Sequence, residues 1–419
     1  MDEIPVWRRR STFALLTLVA ALSYIDRQVF GIFMPEISRD LHINDAGMGL
    51  IAGLSFSIFY ILAAFPIARL VDRGGDRPLI IAACISIWSV ATAACALAAN
   101  ALHLVLARIG LAAGEGGAGP AGQSLLLQIF PKTSHPFVLS VMLAANAVGL
   151  GAGGWIGGQL SERFDWRMSL VIVGLPGLIL ALIVWAFAAE PRRTKHEEGA
   201  VEEAAPLRDV ARVLLGTASL RWTALAITCV SFAGFPFIIW AGSFYQTVHG
   251  LSIQQAGAAL FWPITGGLVV GNLLAGWLAE RFGRGRPAYL SGLATIGLLA
   301  AFPFGLAMAQ LTDPRASLIA FFVFHVLLTI HLGPLMALSF AQIPINMRAV
   351  LGASINTVIT LCGIGVGTFL VGALSTYFAE RYGHLSLRYA LSLVSFSILL
   401  GAFAAFMAGR SVRHSPASA

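Results

Sequence analysis

The sequence predicts an all-α membrane protein of twelve spans, built as two pseudo-symmetric six-helix bundles. Three observations carry that prediction. Of the 419 residues, 58% are hydrophobic and only 11% charged, whereas a soluble domain has roughly 25% charged residues. Apolar runs of about 20 residues, the length that crosses a bilayer core as a helix, recur along nearly the whole chain. Finally, one loop pattern occurs twice. Ala68-Arg-Leu-Val-Asp-Arg-Gly-Gly-Asp-Arg77 ends the second run, and Gly276-Trp-Leu-Ala-Glu-Arg-Phe-Gly-Arg-Gly285 ends the eighth. Asp72 and Glu280 occupy the same place in the two loops, each an acid beside a basic turn.

In order along the chain, spans are expected near 12–34, 46–70, 78–99, 101–126, 136–160 and 168–189. A second set follows near 220–246, 254–280, 286–308, 315–341, 349–378 and 386–409. The first begins after Trp7-Arg-Arg-Arg10 and superficially looks like a signal peptide. No small-residue cleavage site follows it, and the run continues through Tyr24-Ile-Asp-Arg27 towards Pro35, so it reads as an uncleaved span. Between the sets lies the one long polar stretch, Glu190 to Gly216, with a short helix expected from Leu207 to Leu215. It divides the chain into a bundle over 1–190, a linker over 191–218 and a second bundle over 219–419.

Charge distribution sets the orientation. Nineteen Lys and Arg fall on the side bearing the N-terminus and six on the other, while Arg27 and Arg108 stay within spans, which accounts for all 27. By the positive-inside rule both termini face the cytoplasm, with the protein in the cell (inner) membrane. The net charge of +7 follows from these topological clusters and not from a nucleic-acid surface, because no aromatics interleave with the basic residues. Cys84, Cys95, Cys229 and Cys362 all lie in apolar runs and read as small hydrophobes.

The exceptional stretch is Arg108-Ile-Gly-Leu-Ala-Ala-Gly-Glu-Gly-Gly-Ala-Gly119 in the fourth span. Arg108 and Glu115 are two helical turns apart, about 10.5 Å along one face. Charges at membrane depth are costly and usually line a bundle interior or an aqueous cavity. Helix rise places Asp26 roughly 21 Å in from the cytoplasmic start of the first span and Arg108 roughly 20 Å from the inner face. Asp26, Arg27 and Arg108 are thus level, with Glu115 two turns nearer the cytoplasm. Two acids and two bases cancel formally, and a carboxylate's protonation depends on whether an arginine engages it. Movement of Arg108 between Asp26 and Glu115 would therefore couple proton uptake to access; Asp26, Arg27, Arg108 and Glu115 are the expected proton-coupling set.

The second half has no counterpart. Adding 208 to Asp26, Arg108 and Glu115 lands on Gly234, Ala316 and Val323. Its polar residues at depth are Asn272, His325, His331, Asn356, Thr357 and Thr360, and its aromatics include Phe235, Trp240 and Trp262. An apolar, aromatic half favours an amphipathic substrate over a sugar. Arg108, Tyr24, Phe235, Trp240, Trp262, His325, Asn356 and Thr360 are the expected substrate contacts. His325 and His331, six residues apart, do not share a helix face as metal ligands would. The glycine runs 149–153 and 363–367 lack a preceding strand and read as close helix contacts, and no phosphate-binding Gly-x-x-x-x-Gly-Lys loop is present. No cofactor is expected beyond the coupling proton.

The 68–77 loop resembles the cytoplasmic loop signature of the major facilitator superfamily, with Ala68 in place of its first glycine and Asp76 in place of a basic residue. Arg108 with Gly114 resembles that superfamily's fourth-span motif. Ala147-Val-Gly-Leu-Gly-Ala-Gly-Gly-Trp-Ile-Gly-Gly158 is similar to its glycine-rich fifth span, without the proline often found there. Within the superfamily, Tyr24-Ile-Asp-Arg27, Trp88-Ser89, Gly114-Glu-Gly116, Ile343-Pro-Ile-Asn-Met-Arg348 and Val371-Gly-Ala-Leu-Ser375 resemble the spinster-like transporters. The Asp-Arg and Gly-Glu pieces also resemble anion:cation symporters. These resemblances imply a monomeric secondary active transporter that works by alternating access. They imply coupling to protons and carriage of a lysolipid-like or otherwise amphipathic molecule. An organic-anion:proton symporter is the alternative. A multipass membrane enzyme would need a nucleophile, metal cluster or acid pair near an interface, which the sequence lacks. Asp72, Arg73, Arg77, Glu280 and Arg281 are expected to latch a cytoplasmic gate.

Overall fold

A computed structural model describes residues 4–190, 207–283 and 287–413, and all regular structure among them is helical. Ten stretches are long and apolar enough to cross a membrane. One of these, Val350–Val412, is 63 residues long and breaks at Gly383, whose φ of 55° reverses the chain between Tyr382 and Ser386. The 29-residue helix Ala101–Ile129 is not among the ten, since its glycines and ions lower its hydropathy. Counting both gives the expected twelve spans. Side-chain caps start several of them at the expected loops. Asn44 accepts from Gly47 N, Asp76 from Leu79 N, Asn100 from His103 N, Asp165 from Met168 N and Asp313 from Ala316 N. Asp76, which departs from the superfamily's loop pattern, thus gives the third span its N-terminal acceptor.

Several spans are not continuous α-helix. The sixth runs as Trp166–Gly174 and Pro176–Phe187, interrupted where the proline removes a backbone donor. Wider π turns occupy Leu50–Ser55 in the second span, Trp262–Gly266 in the eighth and Ile359–Gly367 in the eleventh. The second and eighth spans occupy matching places in the two halves, and such π turns are frequent at functional sites.

By contact the chain forms two units. One holds the first six spans together with Ile239–Phe261, and the other holds the remainder of the second half. Within the first unit, small residues set the helix spacing. A methyl group on Gly149 would come 2.4 Å from Ala21 O, and one on Gly153 would come 2.6 Å from Ile25 O, so the first and fifth spans touch backbone to backbone. The segment Ile239–Phe261 packs on the same pair. A methyl on Gly257 would sit 2.2 Å from Gly154 O, and Gln246 Nε2 donates to Ile32 O at 2.7 Å. At the far end of the first span, Arg167 donates to Asp40 at 2.8 Å and to the carbonyls of Ala96 and Ala98.

The second unit packs around apolar and aromatic side chains. Phe237, Phe321 and Phe324 form one stack, with Phe237 and Phe324 centroids 4.8 Å apart. Ser291 in the ninth span donates to Ala405 O of the twelfth, and Ser375 bonds Ser386. The linker helix covers Leu207–Gly216, buries Val210 and exposes Arg208 and Arg212.

Candidate functional site

The fourth span owes its position to the glycines on either side of Glu115. A methyl on Gly114 would meet Cys84 O at 2.6 Å in the third span, and one on Gly116 would meet Tyr60 O at 2.4 Å in the second. Only glycine permits both approaches at once. The Gly-Glu-Gly sequence thereby drives a carboxylate into the interior of the first unit, where Glu115 is 3% exposed.

There it meets Arg27 of the first span. Arg27 Nε donates to Glu115 Oε2 at 2.6 Å, and a terminal guanidinium nitrogen makes a second contact to the same oxygen. The guanidinium also lies 4.8 Å from the Tyr24 ring centroid, 4.7 Å from Phe56 and 5.6 Å from Tyr60. Three electron-rich ring faces and one carboxylate thus surround the cation and replace part of the hydration it loses. Among the described residues Glu115 Oε1 has no hydrogen-bond partner.

The other two ions are deployed differently. Asp26 is 2% exposed; its Oδ2 accepts from Thr92 Oγ1 at 3.3 Å, and its Oδ1 has no hydrogen-bond partner among the described residues. Arg108 is 3% exposed and lies 4.3 Å from the Phe30 centroid and 5.4 Å from Phe56. Among the described residues its Nε has no hydrogen-bond partner and no carboxylate lies within ion-pair distance of it. The expectation that Arg108 engages Asp26 or Glu115 is therefore not the arrangement seen: Glu115 is held by Arg27. Helix rise put these two on different levels because it ignores the reach of an arginine stem. Thr92 was missed by sequence reasoning. One threonine in an apolar helix gives no signal until the fold places it opposite an acid.

The other expected substrate contacts are distributed unevenly. Tyr24 is half-buried against Arg27. Trp240 is fully buried in the packing of Ile239–Phe261. In the second unit, Phe235 is half-buried beside Gly363, and Thr360 is buried within a π turn. Asn356 is exposed, and Trp262, 70% exposed, points away from the core. His325 is enclosed by the Phe321 ring at 4.4 Å and the Phe324 ring at 5.3 Å. Its Nδ1 faces Phe321 O at 3.0 Å, and its Nε2 has no hydrogen-bond partner.

Among the expected gate residues, Arg77 is buried at 2% exposure and pairs with Glu190 at 3.2 Å. Ala189 N donates to Thr12 Oγ1 at 2.8 Å beside it. Arg77 therefore ties the start of the third span to the end of the sixth within one unit. Arg73, Glu280 and Arg281 are exposed at helix ends, and the Asp72 side chain lies outside the described residues. So do Arg192, Arg193, Lys195, Arg284 and Arg286 from the loops used to assign orientation.

Twelve spans in two halves, with paired ions buried in one of them, describe a membrane carrier. Residues 16–366 match the family model of the Major Facilitator Superfamily, and the chain belongs to that superfamily. It is thus a multipass membrane transporter and not an enzyme. Its spinster-like character is matched by structure. The crystal structure of a bacterial homolog of the human lysosomal transporter Spinster, inward-facing and unoccupied, superposes with a TM-score of 0.86 at 25% identity, covering 99% of this chain and all of that one. An MFS-type efflux pump of Mycolicibacterium smegmatis is 26% identical over 97% of this chain and 94% of its own length. The sphingosine-1-phosphate transporter SPNS2 of Xenopus tropicalis is 24% identical over 96% of this chain and 82% of its own.

Proposed function

We propose that the protein is a proton-coupled secondary transporter that carries an anionic, lysolipid-like amphipath by alternating access. The observation that supports this most is the inequality of the two buried arginines. Arg27 has a carboxylate and three rings about it, whereas Arg108 has rings and, among the described residues, no carboxylate within ion-pair distance. A buried guanidinium without a counter-ion calls for an anion, and a phosphate or carboxylate head group supplies one with fork geometry. The rings of Phe30 and Phe56 beside it offer apolar surface to the attached chain. The SPNS2 relative is named for an anionic amphipath, which agrees with this reading.

In the proposed cycle a proton bound by Glu115 neutralises it and releases Arg27, so substrate and proton occupancy are linked through one ion pair. Asp26 is the second acid of the set. The gate residues Arg73, Glu280 and Arg281 change partners as access alternates. In this reading the protein is a monomer in the cell membrane with both termini in the cytoplasm. A small organic anion is the second reading, because the same unpaired Arg108 would hold a short carboxylate.

Purified protein in proteoliposomes distinguishes the two. Uptake of a lysophosphatidic acid should rise severalfold under an imposed pH gradient and collapse with a protonophore. Short-chain carboxylates should compete weakly. Gradient-dependent uptake of the carboxylates alone would select the second reading, and uptake indifferent to the gradient would remove proton coupling from both.

A further inference from the structure

We infer that Thr92 is a positioning residue that holds Asp26 in place and sets the pH range over which that acid exchanges its proton. The inference rests on reading Asp26 as a coupling acid. Its starting point is an anomaly in where threonine hydroxyls donate. In a helix a threonine ordinarily bonds the carbonyl four residues back. Thr12, Thr17, Thr223, Thr228, Thr247, Thr295, Thr329 and Thr357 all do so here, at 2.6–3.0 Å. Thr92, in the last turn of Arg77–Cys95, instead donates to Asp26 Oδ2 across 66 residues of sequence.

The side chain is also fixed from behind. Thr92 is 1% exposed, and the sixth span presses on it through Gly174. A methyl on Gly174 would come 2.9 Å from Ser89 O and 3.1 Å from Thr92 Cβ. The Thr92 hydroxyl is thereby directed at the carboxylate by packing as well as by its own bond. It is the one hydrogen-bond donor the structure gives Asp26 among the described residues. The charged groups that face Asp26 are Arg108 and Glu115 from the fourth span and Arg27 from its own, with the Cys95 thiol facing it from the third span. None of these is altered when Thr92 is replaced.

A hydroxyl that donates to a carboxylate favours its charged form. Thr92→Val keeps the shape and removes the donor, whereas Thr92→Ser keeps the donor. The test is infrared difference spectroscopy of the purified full-length protein titrated with pH, which reads buried carboxyl groups directly and needs no substrate. Asp26→Asn identifies the Asp26 carbonyl band. In Thr92→Val that band should move to the frequency of a carboxyl without a hydrogen bond. Its midpoint should shift alkaline by about half a unit to one unit, the size of an ordinary hydrogen bond, as suits the long 3.3 Å contact. Thr92→Ser should return both towards wild type, and Thr92→Ala substitutes for the valine variant should that fail to fold. An unchanged band and midpoint in the donor-less variants would overturn the inference, as would a titrating band that Asp26→Asn fails to remove. If the band shifts as expected while proteoliposome uptake of lysophosphatidic acid ignores pH, the positioning stands and the coupling role of Asp26 falls.

Discussion

The two halves of this chain contain the same number of spans but bury polarity in opposite ways. The first unit encloses two acids and two arginines, with Arg27 and Glu115 paired and Arg108 set among rings. At the positions 208 residues on, the second half has Gly234, Ala316 and Val323. Its buried polarity is made of neutral groups: Thr223, Ser231 and Ser395 bond carbonyls of their own helices, while Ser291 and Ser375 bond neighbouring elements. His325 sits in an aromatic box formed by Phe321 and Phe324. A fold duplicated in outline has thus concentrated its charge in one copy. The energetic stakes follow the same division, because a buried ion depends on partners from other spans, while a back-bonded hydroxyl depends only on its own helix.

The sharpest way to break this contrast is to remove one member of the ion pair. Arg27→Ala leaves Glu115 buried without its cation and should destabilise the protein by about 3–5 kcal/mol. Thermal unfolding in detergent should show a large drop that is relieved when Glu115→Gln is added. A second-half control such as Ser395→Ala should change little. A comparable loss in both would mean that the halves are not energetically distinct.

Arg108 should behave in the reverse sense. Arg108→Gln removes a cation that, among the described residues, has no carboxylate within ion-pair distance, so thermal stability should hold or rise. Binding of an anionic amphipath should weaken about 10- to 100-fold, the worth of a charge-assisted hydrogen bond. Equilibrium binding by scintillation proximity, read alongside the melting curve, separates the two effects. Lost stability with intact binding would make Arg108 a structural cation.

Glycine positions sharpen the comparison at smaller scale. In the eighth span, Gly257 lies against Gly154 O, whereas Gly276 has nothing within 4 Å of a would-be methyl. Gly257→Ala should cost about 1–3 kcal/mol by forcing helices apart. Gly276→Ala should be neutral or stabilise by about 0.4–1 kcal/mol by restricting the unfolded chain. Paired melting temperatures check this directly. The smallest effect is expected from His325→Phe, which should leave the pH dependence of uptake unchanged; an altered pH profile would bring the second half into the proton pathway.

Much of this arrangement is legible in the amino-acid sequence. Spans follow from apolar length, and the helices after Asp76, Asn100 and Asp313 are capped where the sequence places an acceptor. Asp26, Arg27, Arg108 and Glu115 stand out because charge is rare in such helices. What sequence reasoning missed has a common cause. It places residues on a helix axis but does not show how far a side chain reaches or which helix lies opposite. Depth alone set Arg27 level with Arg108, yet the arginine stem reaches Glu115. Arg77 is expected among the gate residues, and nothing in the sequence signals that the fold pairs it with Glu190 at the end of the sixth span. Thr92 is unremarkable in the sequence, and its contact with Asp26 emerges only from the approach of the first and sixth spans.

We propose that proton movement runs through the Arg27–Glu115 pair of the first unit. The most direct test loads proteoliposomes with a pH-sensitive dye and adds lysophosphatidic acid outside without an imposed gradient. Wild-type protein should move protons in step with substrate. Glu115→Gln should still exchange labelled for unlabelled substrate while the dye stays silent. Substrate-driven proton movement that survives in Glu115→Gln would contradict the account.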